Sequence, residues 1–261
     1  MTATFWDACE SEWLKRKRSL ASCLVVAGGF FTPTIVLVAR LVYPGKLPKI
    51  YSAAGFWNDL WTSSWESMAI FFLPMGAILA ASLMAQIEFK NNAWKQVHAS
   101  PLSLSTIFFS KLAVVLVMMG QFFALFNVAI YLSAVLPALL LRKVPYPSAP
   151  IPWARFLKDD ALFFIDCLPI VAAQYLISLR YRNFLVPIGA GFLIWVGALG
   201  SLSWKFGYVV PYIYPMLNYL KNAGTGKAAI PLVNIHLWSL GYFFFFTFLG
   251  LGLFVTRREK G

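Results

Sequence analysis

The chain has one short glycine-lysine motif that is similar to a nucleotide-binding loop, but its spacing is wrong. Residues 224–227 read Gly-Thr-Gly-Lys, whereas a P-loop needs a further glycine at the position where Lys221 stands. Ala228 also occupies the position of the Ser or Thr that would hold magnesium. We therefore expect this chain itself to bind no ATP, no magnesium and no other cofactor.

Histidine and cysteine, which could also serve catalysis or metal binding, are few and scattered. The two histidines, His98 and His236, have no carboxylate or nucleophile motif beside them in the sequence. The three cysteines, Cys9, Cys23 and Cys167, lie far apart and form no Cys-x-x-Cys motif. The sequence therefore predicts no catalytic residues, no metal site and no disulfide framework.

The most informative polar stretch is residues 88–101, which separates two long apolar runs. Its composition is typical of a short helix up to the proline at its end, and it combines charges with a large aromatic residue. Such a helix would present a small mixed surface to a soluble partner, although an inert interfacial loop is the alternative. The residues expected to make this contact are Glu88, Lys90, Trp94, Lys95, Gln96, His98 and Pro101.

These residues are held by a chain whose composition is typical of a membrane protein. Of its 261 residues, 60% are hydrophobic and 12% are charged, whereas soluble domains carry roughly 25% charged residues. A helix needs about 20 mostly apolar residues to cross a bilayer. The sequence predicts an all-α protein with six such helices, at residues 20–43, 67–87, 105–141, 161–179, 184–202 and 235–255.

Residues 1–19 precede the first span and predict a helix that lies in the membrane interface. Aromatic residues recur there at roughly helical spacing and a run of four basic residues follows them. A disordered basic tail is the alternative. The residues that we single out in this segment are Glu12, Trp13, Lys15 and Arg16.

Glycine, alanine and proline positions predict where the spans bend or approach one another. Gly28, Gly29 and Pro33 are expected to bend the first span, and the third span, which is longer than a bilayer requires, is expected to tilt, protrude or break near Pro137. Small residues at 77, 81 and 85 predict close helix packing in the second span. Residues 44–66 and 142–160 are expected to be loops, the latter with a possible interfacial helix from residue 153.

Three ionisable residues lie within or beside the predicted spans, where a charge is costly. Arg40, Glu66 and Asp166 are all expected at similar depth, towards the outer ends of their spans. We hypothesise that Arg40 pairs with Asp166 or Glu66. The alternative is that Arg40 and Glu66 extend to the interface and leave Asp166 hydrogen-bonded inside the bundle.

The net charge of +12 is distributed in a way that fits a membrane rather than nucleic acid. Basic residues sit beside the apolar runs, where they meet anionic lipid headgroups and set the orientation. With the N-terminus inside, 12 of the 22 Lys and Arg fall in inner segments, nine in longer outer segments, and Arg40 in the first span. We therefore expect a multi-pass protein of the inner (cytoplasmic) membrane with both termini in the cytoplasm.

The order of these features resembles ABC type-2 permeases. The resemblance rests on residues 12–19 before the first span, on the Glu88, Trp94-Lys95 and Ser100-Pro101 pattern, and on Lys111 early in the next span. The branch that it resembles most is the lantibiotic-immunity and antimicrobial-peptide-export permeases. The whole chain, residues 1–261, would then be one permease domain.

The resemblance implies a role for each segment. Residues 88–101 would be a cytoplasmic coupling helix that docks on an ABC ATPase, residues 1–19 a connecting helix beside it, and residues 204–235 an outer re-entrant segment. Two permease chains, identical or homologous, would assemble with two ATPase chains that bind ATP and magnesium, and would export an amphipathic or hydrophobic peptide, lipid or drug. A non-catalytic membrane scaffold or an ion-gradient-driven transporter are the alternatives.

Overall fold

The protein is helical throughout the part of the chain that the structure describes. The computed structural model describes residues 4–17, 19–90, 102–224 and 233–256, with the backbone alone at 88 and 90. The α-helices are α1 (Phe5–Arg16), α2 (Leu20–Val42), α3 (Leu47–Tyr51), α4 (Phe56–Ser67), α5 (Leu73–Lys90), α6 (Leu104–Leu140), α7 (Trp153–Arg180), α8 (Leu185–Gly200), α9 (Tyr214–Ala223) and α10 (Ile235–Val255). A π-turn, Met68–Phe72, joins α4 to α5 without a break.

Six described helical segments are long and apolar enough to cross a membrane. They are Leu20–Val42, Phe56–Ile87, Leu104–Leu140, Trp153–Arg180, Leu185–Ser203 and Ile235–Val255. The predicted all-α architecture with six spans is therefore confirmed.

The second and fourth spans are longer than predicted, because residues 44–66, which were expected to be a loop, are largely helical, and because the possible helix from residue 153 is continuous with the fourth span. Residues 44–66 contain α3 and α4, and α7 already begins at Trp153. The reason is aromatic packing: the ring of Trp61 stacks on Phe156 with centroids 4.1 Å apart, and Trp65 stacks on Phe163 at 3.9 Å. Tryptophans four residues apart form one face of α4, which buries itself against the start of α7.

The first span packs on the third without an interruption at its glycines. A Cβ atom on Gly29 would lie 3.1 Å from the Cβ of Leu125 and 3.3 Å from the carbonyl oxygen of Phe122. The glycine therefore allows α2 and α6 to approach closely, and the bend expected at Gly28, Gly29 and Pro33 stays a prediction. The small residues of the second span, Ala77, Ala81 and Ala85, are all fully buried, as the pattern predicted.

The helices define two ends of the bundle. One end contains helix α1, the end of α5 and the α7–α8 turn, since Lys15, Gln86 and Arg182 line one groove. The start of α6 lies there too, because its Lys111 bonds to Glu12 of α1. We name this the α1 end and the other the opposite end. From Gly200 at the far end of α8, the chain turns back into the bundle.

This returning segment reaches a buried glutamine of α7. The hydroxyl of Tyr212 donates to Gln174 Oε1 at 3.2 Å, and Gln174 Nε2 donates to the carbonyl of Pro187 in the first turn of α8 at 2.6 Å. Helix α9 then runs back beside α7. The chain between Gly200 and Gly224 thus enters the bundle and leaves it on the same side.

Helix α6 continues through Pro137, so the alternative of a break is wrong, while a tilt or a protrusion of the third span stays a prediction. Proline has no N–H, so the carbonyl of Ser133 lacks its helical partner. Arg40 Nη1 donates to this carbonyl at 3.1 Å and to the hydroxyl of Tyr51 at 3.3 Å, and Tyr51 donates to the carbonyl of Ala134 at 2.8 Å. Arg40 and Tyr51 therefore bond the carbonyls beside the proline, and the helix stays intact to Leu140.

We expect Arg40→Leu to destabilise the protein because it leaves the Ser133 carbonyl buried without a donor, a loss of about 1–3 kcal/mol. Pro137→Ala restores an intrahelical N–H donor for the same carbonyl. The cost of Arg40→Leu should therefore be smaller in the Pro137→Ala background, measured by thermal unfolding in detergent micelles. An equal cost in both backgrounds would show that Arg40 stabilises the fold in some other way.

Candidate coupling site and intramembrane polar groups

A buried ion pair fixes α1 to α6. Lys111 Nζ lies 2.6 Å from Glu12 Oε2, and Lys15 Nζ lies 2.5 Å from Glu12 Oε1. Glu12 is 4% exposed and Lys111 is 1% exposed. Since both charges are removed from solvent, this pair differs from a surface salt bridge and determines where α1 lies on α6.

Helix α1 forms for local reasons and turns its polar residues inward. Thr4 and Asp7 make a capping box, in which the Thr4 hydroxyl accepts from the Asp7 N–H at 3.3 Å and Asp7 accepts from the Thr4 N–H at 2.7 Å. Ala8, Glu12 and Arg16 recur every four residues and are the buried residues of the helix. The apolar side chains of Trp6 and Leu14 are exposed, while Trp13 is half-buried.

The guanidinium of Arg16 completes this contact. It donates from Nη1 to Gln121 Oε1 on α6, and it stacks over the ring of Trp13 at 3.7 Å from the ring centroid. The four residues singled out in this segment, Glu12, Trp13, Lys15 and Arg16, are thus brought together by one helix. The location of α1 in a membrane interface stays a prediction.

Glu12 is ionised at neutral pH. Burial raises its pKa, but the charges of Lys111 and Lys15 and their hydrogen bonds outweigh burial, so that the pKa of Glu12 lies below its ordinary value. A carboxyl with a lowered pKa stabilises the folded state above its unfolded pKa and loses this contribution as the pH falls. The α1–α6 contact is therefore at full strength at neutral pH.

Most of the predicted coupling residues lie outside the described residues. Only the backbone of Glu88 and Lys90 is described, as the last turn of α5, and Trp94, Lys95, Gln96, His98 and Pro101 fall in the stretch 91–101. The flanks are described: α5 reaches Lys90, and α6 starts after Ser103, whose hydroxyl accepts from the Thr106 N–H at 3.1 Å. The described end of α5 and the described start of α6 therefore both lie at the α1 end.

The α1 end also carries a groove of about 750 Å³ with a basic rim. Lys15 and Arg182 contribute charge, and Gln86 donates to the carbonyl of Tyr181 at 2.9 Å, which fixes the α7–α8 turn against α5. Leu83, Ile87 and Phe184 are among its apolar lining residues. Helix α1 and the start of the predicted coupling segment thus border the same groove, through Lys15 and Phe89.

The hypothesised pairing of Arg40 with Asp166 or Glu66 is wrong. Arg40 bonds to Ser133 and Tyr51, as described above, and Asp166 Oδ1 lies 2.8 Å from His236 Nδ1 at the start of α10. The side chains of Arg40 and Asp166 therefore face different neighbours in the bundle. Because α10 packs against α7, His236 is the group that reaches Asp166.

Asp166 is hydrogen-bonded inside the bundle, as the alternative expected, and it belongs to a buried polar cluster whose other members the sequence did not reveal. Asp166 is fully buried, its Oδ2 has no hydrogen-bond partner among the described residues, and the same holds for Nδ2 of the buried Asn218 on α9. Ser239 donates to the carbonyl of Ile165 at 2.6 Å. The sequence signal for this contact was a histidine at the start of an apolar helix, His236. That signal could not show that the partner of His236 is Asp166.

Glu66 lies deeper than expected and forms no pair. Ser67, its neighbour, lies 3.4 Å from the hydroxyl of Thr32, in the middle of α2, whereas Arg40 is eight residues further along α2, about 12 Å at 1.5 Å per residue. Glu66 is exposed, and none of the described residues forms a hydrogen bond or ion pair with it. The three ionisable groups therefore do not share one depth.

These features define an integral membrane protein with six spans and with helix α1 fixed to α6, and the described residues contain no cluster of three or more His, Cys, Asp or Glu that could hold a metal. The model of the ABC-2 family transporter proteins matches residues 8–198, which is more than half of the chain, and the chain belongs to this family. No curated protein and no solved structure matches it. The protein is thus a permease component of an ABC transporter, and membership of this family implies partnership with an ABC ATPase.

We expect the loss of Glu12 to be more harmful than the loss of Lys111, because both Lys111 and Lys15 bond to Glu12. Glu12→Gln breaks the buried pair and should cost about 3–5 kcal/mol, Lys111→Met leaves Glu12 with Lys15 and should cost less, and the double variant should recover part of the loss of Glu12→Gln. The readouts are thermal unfolding and trypsin cleavage at residues 15–18, which becomes faster if α1 detaches. Exposed Glu10→Gln on the same helix is the matched control; additive losses in the double variant would contradict a direct pair.

Proposed function

We propose that this permease is one half of the membrane domain of an ATP-driven exporter. The observation that carries the proposal is the burial of the Glu12–Lys111 pair at the end of the bundle where α5 and α6 are joined by residues 91–101. In this assembly, two permease chains, identical or homologous, bind an ATPase dimer that carries ATP and magnesium. The protein lies in the inner membrane with both termini in the cytoplasm.

Energy enters at the α1 end. Residues 88–101 dock on the ATPase, and movement of the ATPase displaces α5 and α6 together, since one segment joins them. Helix α1 moves with α6 because Glu12 and Arg16 bond to Lys111 and Gln121. A contact of this kind transmits displacement rather than chemistry, which fits a family whose members have no catalytic domain of their own.

The exposed faces of the bundle suit an amphipathic or hydrophobic cargo. Large apolar side chains are exposed along α2, α8 and α10, among them Phe31, Leu193 and Phe248. Some of these surfaces would face lipid and some a second permease. The resemblance to antimicrobial-peptide exporters makes an amphipathic peptide the first cargo to test, followed by lipids and hydrophobic drugs.

We expect a variant with Glu88→Lys, Trp94→Ala and Lys95→Glu to lose the ATPase on co-purification while it stays folded. The measurement is capture of the co-expressed ABC ATPase by tagged permease, with thermal unfolding as the check on the fold. Lys143→Glu, an exposed charge reversal at the opposite end, is the control and should retain the ATPase. Retention of the ATPase by the triple variant would overturn the assignment of residues 88–101.

The same samples separate the alternative functions. Stimulation of ATP hydrolysis by candidate peptides or lipids in reconstituted complexes is the expected result for an exporter. A scaffold would bind the ATPase without such stimulation. An ion-gradient transporter would move cargo with no ATPase present.

We expect the α1 end to be cytoplasmic. In a background in which Cys9, Cys23 and Cys167 are replaced by Ala, a membrane-impermeant maleimide added to intact cells should label Lys143→Cys and not Arg182→Cys. Both positions are exposed and lie at opposite ends of the bundle. Lysed cells provide the control, in which both should react; the reverse pattern in intact cells would invert the orientation.

A further inference from the structure

Glu66 stands on an apolar face of the bundle, at the level of the middle of α2. The Thr32–Ser67 contact sets this level, and the exposed Phe31 and Ile35 of α2 occupy the adjacent surface. Phe31 also packs on Phe72, with ring centroids 4.9 Å apart. An unpaired carboxylate among lipid-facing side chains is costly, so it is expected to face a cavity, a path or a ligand.

The carboxylate opens into a defined groove. Glu66 lines a groove of about 370 Å³ together with Ser63, Ser67, Ile70 and Phe71, which form one face of a continuous helical segment. The hydroxyl of Ser63 donates a hydrogen bond to the carbonyl of Asp59 at 2.8 Å. Glu66 is therefore the charged group of this groove, and the remaining lining offers hydroxyl and apolar contacts.

The backbone beside Glu66 has an unusual geometry. The π-turn Met68–Phe72 begins two residues after it, and the indole of Trp195 on α8 donates to the Ile70 carbonyl at 3.0 Å. Single-turn π segments inside α-helices often occur at functional sites. Helix α9 packs against α4 and this turn, and its Tyr219 lies within electrostatic range of Glu66. Helices α8 and α9 therefore both contact the helical segment that carries Glu66.

We propose that the Glu66 groove binds the positively charged group of a lipophilic cation, and that the exporter's cargo is of this chemical class. This inference rests on the proposed transport function. None of the described residues provides a counter-charge for the Glu66 carboxylate, and the bound cation provides it. Ile70 and Phe71 contact the apolar part of the cation. The ring of Phe71 adds an attractive face for a cation.

The test uses two probes of the same shape and opposite charge. The permease with its ATPase is reconstituted in lipid nanodiscs, and binding of tetraphenylphosphonium and of tetraphenylborate is measured by equilibrium dialysis against empty nanodiscs. We expect Glu66→Gln to weaken tetraphenylphosphonium binding about tenfold, the effect of losing one contact to a charged group. Binding of tetraphenylborate should not weaken.

Asp59→Asn is the matched control, because it removes the same charge from an exposed position two turns away on α4. Its affinity for tetraphenylphosphonium should equal that of the unmodified protein. Equal losses in both variants, or no loss in Glu66→Gln, would overturn the proposal. If a second permease covers this face, Glu66→Gln should cause no loss of tetraphenylphosphonium binding.

A further arm identifies the source of the cation. A cationic amphipathic peptide that displaces tetraphenylphosphonium supports a peptide cargo, and displacement by small lipophilic amines alone supports a drug-like cargo; displacement by neither overturns the site. ATP hydrolysis and ATPase capture are measured on the same Glu66→Gln sample. If both are normal while charge selectivity is absent, the cation site fails and the exporter proposal stands.

Discussion

The structure depends on the rule that polar groups inside an apolar bundle must find their partners within the protein. Helix α6 illustrates it three times. Its Lys111 is bonded by Glu12, its Gln121 by Arg16, and its Ser133 carbonyl by Arg40. Each partner arrives from the N-terminal part of the chain, on α1 or α2, so satisfying α6 also decides where these two helices lie. The third span is therefore the axis on which the first part of the fold is assembled.

The buried Glu12–Lys111 pair is better understood as a device that fixes position than as a source of stability. Removing two charges from water costs about as much as their attraction returns, and apolar residues of similar volume would often hold the helices equally well. An apolar contact, however, would tolerate sliding of α1 along α6. An ion pair at one short distance tolerates little sliding, because a displacement of α1 would separate two buried opposite charges. This property is what a connecting helix requires if it is to follow the motion of a neighbouring span.

The sequence predicted the spans well and the polar contacts poorly, for one physical reason. Apolar runs report directly on burial in lipid, so Leu20–Val42 and Ile235–Val255 could be placed almost to the residue. The partners of Arg40 and Asp166 depend on the rotation of each helix about its axis and on which helices are neighbours. The proline at 137 did carry a usable signal, since the carbonyl four residues earlier must lack its donor. The helical extension around Trp61 was missed because residues 44–66 are rich in turn-forming and polar types, while the stacking on Phe156 is a tertiary contact.

The proposed cargo site and the proposed coupling segment belong to one continuous helical segment, and this limits how they can communicate. From Phe56 to Lys90 the chain is helical without a break, with Glu66 on one side of the π-turn Met68–Phe72 and the predicted coupling residues beyond its far end. The α5 part is buried against α7 over much of its length, so it moves as a packed unit. The π-turn is where the regular hydrogen bonds of the segment change and where Trp195 bonds its backbone from α8. Displacement of the α5 end would therefore be converted into a bend next to Glu66, which changes the groove without requiring the two sites to be in contact.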